Sequence, residues 1–244
     1  MDKINTQSES IEIASLGYRI AHHLNLAFFT ILAITGSALF ASNIFQWMDY
    51  AVGYPFAVIT GTDPISMGAE VLRAMHRIFA FFWGVLLIVY GLYLVVFKKI
   101  RMFDAIRRPL REQIEEAKAL ARHYLFGDPI PQPVIERAER HNVMVVYMTF
   151  LLLISFPLLS ISGVLLVYRF SLGLSQSTTQ MLLMLHDIGF ILALIFVFLH
   201  LFASLHPTNR PLLMAMFGDG KAPIEWAEKY FGAYIRRYGR RGSK

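Results

Sequence analysis

Residues 181–206, MLLMLHDIGFILALIFVFLHLFASLH, limit what this chain can become. The stretch is apolar and exceeds the about 20 residues that a helix needs to cross a bilayer. Two imidazoles lie inside it, His186 and His200, fourteen residues apart. At about 100° per residue that interval is nearly four full turns, so both side chains leave one face. At about 1.5 Å per residue they stand roughly 21 Å apart along the axis. One helix therefore offers a nitrogen donor near each membrane surface. Ionisable groups at such depth are costly, so they face the bundle interior and have a partner.

Three more apolar stretches accompany it, at 19–40, 72–97 and 142–168, with the last span set at 180–206. The chain is 56% hydrophobic and 16% charged, too apolar for a soluble domain of 244 residues. The reading is a single all-α membrane domain, a four-helix bundle with polar helices outside the bilayer. Residues 42–70 read as a loop with headgroup-level aromatics Trp47, Tyr50 and Tyr54. Residues 104–124 carry apolar residues at helical spacing and read as a surface helix. Pro129, Pro131 and Pro133 then predict an extended, helix-free segment, and Pro157 a kink in the third span. No internal repeat is visible. The polar first 15 residues predict no cleaved signal peptide.

Charge sets the orientation. The insert at 98–140 holds ten Lys and Arg and the tail at 207–244 holds eight, whereas residues 42–70 hold none. The positive-inside rule then puts both termini and the insert in the cytoplasm of a prokaryotic cell, with the chain multi-pass in its inner membrane. The net charge of +6 thus reflects membrane orientation rather than nucleic-acid binding. Cysteine is absent, which excludes a disulfide, a thiolate-held iron–sulfur cluster and a covalently attached c-type haem.

Orientation gives depth. His22 and His200 fall at the inner level, His76 and His186 at the outer level. Two histidines at each of two depths in a four-helix bundle is what two b-type haems require. Bis-histidine ligation fills both axial positions, so such an iron passes electrons and binds no substrate. Gly36, Gly84, Gly163 and Gly189 are candidates for letting a flat macrocycle approach the helices. Arg19 and Arg77 are candidates for pairing with haem propionates. The competing reading of a lone intramembrane histidine is a hydrogen-bonded core residue or a channel-lining group.

Several segments resemble one family. Arg19, His22 and Gly36, spaced R-x-x-H with glycine fourteen residues after the histidine, are similar to the first span of the gamma subunit of prokaryotic membrane-bound formate dehydrogenases. The fourteen-residue histidine spacing, the Ser162-Gly163-Val164 segment with Arg169, Asn209-Arg210-Pro211 and Trp226-Ala227 extend the resemblance over nearly the whole chain. Hydrogenase and thiosulfate reductase cytochromes b share that bundle. The resemblance implies ligand pairs His76–His186 for the outer haem and His22–His200 for the inner one. It also implies a quinone site near the inner haem at Asn142, with His141 as a proton relay. A helix N-cap is the other reading of Asn142.

The function that follows is electron transfer from a partner iron–sulfur subunit through two haem b groups to menaquinone or ubiquinone. Dehydrogenase chemistry then belongs to a molybdenum or tungsten partner subunit, and the complex is free to form a higher oligomer. Three alternatives remain at this point: a haem-free proton or solute transporter, a plain membrane anchor, and a haem protein serving a soluble reductant.

Overall fold

The computed structural model describes residues 9–94, 96 and 103–238. Among the described residues, four helices are long and apolar enough to cross a membrane: α1 (Leu16–Phe40), α3 (Pro64–Tyr93), α6 (Val143–Val167) and α7 (Gln176–Leu205). Shorter helices lie between and after them: α2 (Ser42–Thr60), α4 (Leu110–Phe126), α5 (Gln132–Arg137), α8 (Arg210–Phe217), α9 (Ile224–Tyr230) and α10 (Gly232–Tyr238). Large apolar side chains such as Phe81, Phe198 and Ile161 are exposed along the long helices. That pattern suits hydrocarbon as the surrounding solvent.

The chain divides into two compact units. The first comprises Met1–Arg19, Lys99–Leu153 and Leu194–Lys244. In it, strand β1 (Ser10–Glu12) pairs antiparallel with β2 (Lys221–Pro223), with Ile11 opposite Ala222. The pairing puts Ile13, Ala215 and Ala222 in one buried cluster, flanked by Leu212, Trp226 and Tyr234. This small ladder is an exception to the all-α reading. A second cluster joins Ala105, Val143 and Val146. Beside it the fully buried Glu116 of α4 pairs with Arg108 and accepts the Val143 N–H at 3.0 Å, so α4 caps α6.

The second unit comprises Ile20–Lys98 and Ile154–Ala193. Here α2 and α3 pack closely along one another. Gly53 and Gly68 make that possible, because a Cβ on Gly53 would collide with the Pro64 carbonyl and one on Gly68 with the Asp49 carbonyl. Gly61, at φ 69°, ends α2 by donating to the Ala57 carbonyl at 2.8 Å. Asp63 then starts α3, its Oδ2 accepting the Ser66 N–H at 2.8 Å ahead of Pro64 at the first helical position.

Three expectations need correction. The 42–70 segment is helix α2 and the start of α3, not a loop, because glycines at the crossing allow α2 to dock. The 104–124 helix is broken before Leu110, where Pro109 cannot continue a preceding helix. Pro133 does not keep its segment helix-free: it sits in the first turn of α5, where the missing N–H costs nothing. The expected end of the second span at Phe97 lies outside the described residues.

Candidate functional site

Within the second unit, His76 of α3 and His186 of α7 face one another, with ring centroids 6.2 Å apart and planes at 67°. Each ring is held by the helix beside it. The Thr35 hydroxyl on α1 donates to the Ile31 carbonyl at 2.8 Å, and its oxygen lies 2.9 Å from His76 Nδ1. With the hydroxyl proton on that carbonyl, the oxygen is placed to accept from His76 Nδ1–H. Ser162 on α6 repeats the arrangement. Its hydroxyl donates to the Leu158 carbonyl and accepts from His186 Nδ1 at 2.9 Å. A neutral imidazole presenting Nδ1–H to the hydroxyl keeps an Nε2 lone pair for a ligand.

The glycines fall into separate roles. A Cβ on Gly36 would meet His76 Cε1 at 3.4 Å, and one on Gly163 would meet His186 Cε1 at 3.3 Å. These two glycines admit the imidazole of the neighbouring helix. Gly189 instead lets α7 approach α6, where a Cβ would stand 3.0 Å from Leu159 Cγ. A Cβ on Gly84 would meet nothing within 4 Å.

The facing pair fits a haem iron. A transition metal bonds an imidazole nitrogen at about 2 Å. Two such bonds, with the distance from each ring nitrogen to its ring centre, account for the observed separation. Among the described residues no group of three or more His, Asp or Glu could hold a metal ion. Two protein ligands are what an iron needs when a macrocycle supplies the other four.

The remaining candidates lie as follows. His22 sits edge-on to His23 at 5.9 Å, and His200 stacks on Phe196 at 5.7 Å and 11°. His22 and His200 fall in different units. Arg77 is exposed beside His76. The Arg19 guanidinium donates to the Gly218 carbonyl of the tail. Asn142 caps α6, its Oδ1 accepting the Val145 N–H at 3.0 Å, which leaves its amide N–H groups for another acceptor. Burial, with the Arg140 charge adding, pushes the neighbouring His141 down to about 4.

The sequence gives no role to Thr35, and names Ser162 only within the segment it shares with Gly163 and Arg169. Their signal was a hydroxyl residue directly before a glycine in each of two spans. That signal means nothing until the packing shows which histidine it meets.

Four membrane-length helices around a facing pair of half-buried imidazoles define a membrane cytochrome b. The family model described as prokaryotic cytochrome b561 matches residues 14–219, and the chain belongs to that family. A search of curated proteins returns no match. Family and spans together make this an electron-transfer protein of the prokaryotic inner membrane that binds haem b.

Proposed function

We propose that the chain is the cytochrome b subunit of a respiratory complex, passing electrons from a partner iron–sulfur subunit to a quinone. In this reading it binds two haem b groups, with His76 and His186 as one axial pair and His22 and His200 as the other. The observation that carries it is the facing of His76 and His186, each with its Nδ1 2.9 Å from a hydroxyl oxygen of a neighbouring helix. His76 and His186 would hold haem there, which would supply a reversible one-electron couple with no position left for oxygen or substrate. Arg77, being exposed beside His76, is suited to neutralise a propionate.

Asn142, with His141 beside it, is the proposed quinone contact on the cytoplasmic side. The Asn142 amide N–H groups would donate to a quinone carbonyl while the same side chain caps α6. His141, kept neutral by burial, would accept a proton only in passing, as a relay that hands it on. The donor proposed is a formate dehydrogenase of molybdenum or tungsten type, from the resemblance of the span and tail segments. A nickel–iron hydrogenase or a thiosulfate reductase is the alternative donor complex.

A reduced-minus-oxidised spectrum of the purified chain, with a haem assay, tests the core of this reading. We expect b-type bands and two haems per chain; no haem would overturn it. Copurification then names the donor. A molybdenum or tungsten subunit indicates formate, and a nickel–iron subunit indicates hydrogen.

A further inference from the structure

Thr35 and Ser162 stand in equivalent places on different helices. Each is only 2% exposed, each directly precedes a glycine, and each hydroxyl lies 2.9 Å from the Nδ1 of one facing imidazole. In each case the hydroxyl proton goes to the carbonyl four residues back on its own helix. The following glycine, Gly36 or Gly163, gives the ring's Cε1 room to lie against the helix. The sequence shows no repeat, yet the hydroxyl–glycine pair occurs twice and serves the two rings alike. A buried hydroxyl needs only one partner to be satisfied, and the backbone carbonyl already provides it. The second bond, to histidine, acts on the ring.

That bond has two consequences. It fixes the tautomer and the rotation of each imidazole about the axis of any metal it binds. It also draws the Nδ1 proton outward, which makes Nε2 a stronger electron donor and favours the ferric form of a bound iron. We infer that Thr35 and Ser162 are positioning residues for the two outer haem ligands, holding both rings in orientation and keeping the potential of that haem low. The inference rests on the proposed ligation by His76 and His186. The valine variant Thr35→Val keeps the threonine shape without the hydroxyl, and Ser162→Ala removes only the oxygen. Neither residue is asked to touch the iron.

The test uses the full chain carrying Thr35→Val, Ser162→Ala, both together, and the conservative Thr35→Ser and Ser162→Thr. Haem content, an optical redox titration and the low-spin ferric electron paramagnetic resonance spectrum are read for each. In the double variant the reduced-to-oxidised ratio of the outer haem at fixed potential should rise about tenfold, equivalent to about 59 mV for one electron. The resonance anisotropy should shift with it, because the angle between the ligand planes is no longer pinned. The conservative variants should restore both signals. Loss of the outer haem in the hydroxyl-free variants, with retention in the conservative ones, also supports the inference. A fully loaded double variant with unmoved potential and spectrum overturns it, as does loss of haem in the conservative variants, which would make the role one of volume alone. If His76→Ala keeps every haem, the ligation reading itself fails, and the haem count tells that failure apart from the other.

Discussion

At the residue scale the two outer histidines carry most of the weight. On the proposed ligation, replacing either would leave the haem iron without one of its protein nitrogens. If the chain holds the two haems proposed, His76→Ala or His186→Ala should lower haem content from two per chain towards one, read by a haem assay on purified protein. Outside the spans, His141 makes a separate prediction. Its pKa falls from 6.5 to about 4 through burial, so between those values the unfolded chain binds a proton that the folded chain does not. Stability is then complete above about pH 6.5 and declines as pH falls towards about 4. Thermal unfolding in detergent should show that decline, and His141→Asn should flatten it. The histidine positions were legible because they interrupt apolar spans, where a polar group stands out. Thr35 and Ser162 were not, because hydroxyls that bond back to their own helix are ordinary in a span. Only the neighbouring ring gives them a role.

At the scale of the element, α2 shows how packing overrides local signals. Gly53 and Pro55 read as loop punctuation. In the fold Gly53 lies at a helix crossing, opposite Gly68, where any side chain would strike backbone. Gly68→Ala should therefore cost about 1–3 kcal/mol or more through overpacking, seen as a lower unfolding midpoint in detergent. An unchanged midpoint would mean that α2 does not dock as described. Pro133 teaches the same lesson on a smaller scale. A proline stops a helix that precedes it and can open one that follows. In the sequence, Pro133 signals only the first role. The α4 helix was foreseen from its periodicity. That its Glu116 would cap α6 was not, since the contact spans 27 residues of sequence.

For the whole molecule the open matter is orientation. By the positive-inside rule, the charge asymmetry between residues 42–70 and the two basic segments predicts the α2 side outside and the tail inside. The natural absence of cysteine makes this simple to test. A membrane-impermeant thiol reagent applied to intact cells should label Thr62→Cys. It should reach Glu112→Cys or Glu228→Cys only after the inner membrane is opened. The reverse pattern would invert the depth assignment and move the proposed quinone contact to the other surface.

The sequence alone determined the number of spans, the helical class and the four histidine positions. Length, hydropathy and the helical repeat are local properties of a chain in a bilayer, where backbone polar groups must be satisfied within each segment. Tertiary structure decided which imidazoles meet, what each Nδ1 proton bonds, and which glycines serve a ring rather than a helix crossing. Those outcomes depend on the rotation of one helix against another. That rotation is set by the summed fit of many side chains, and no single stretch of sequence encodes it.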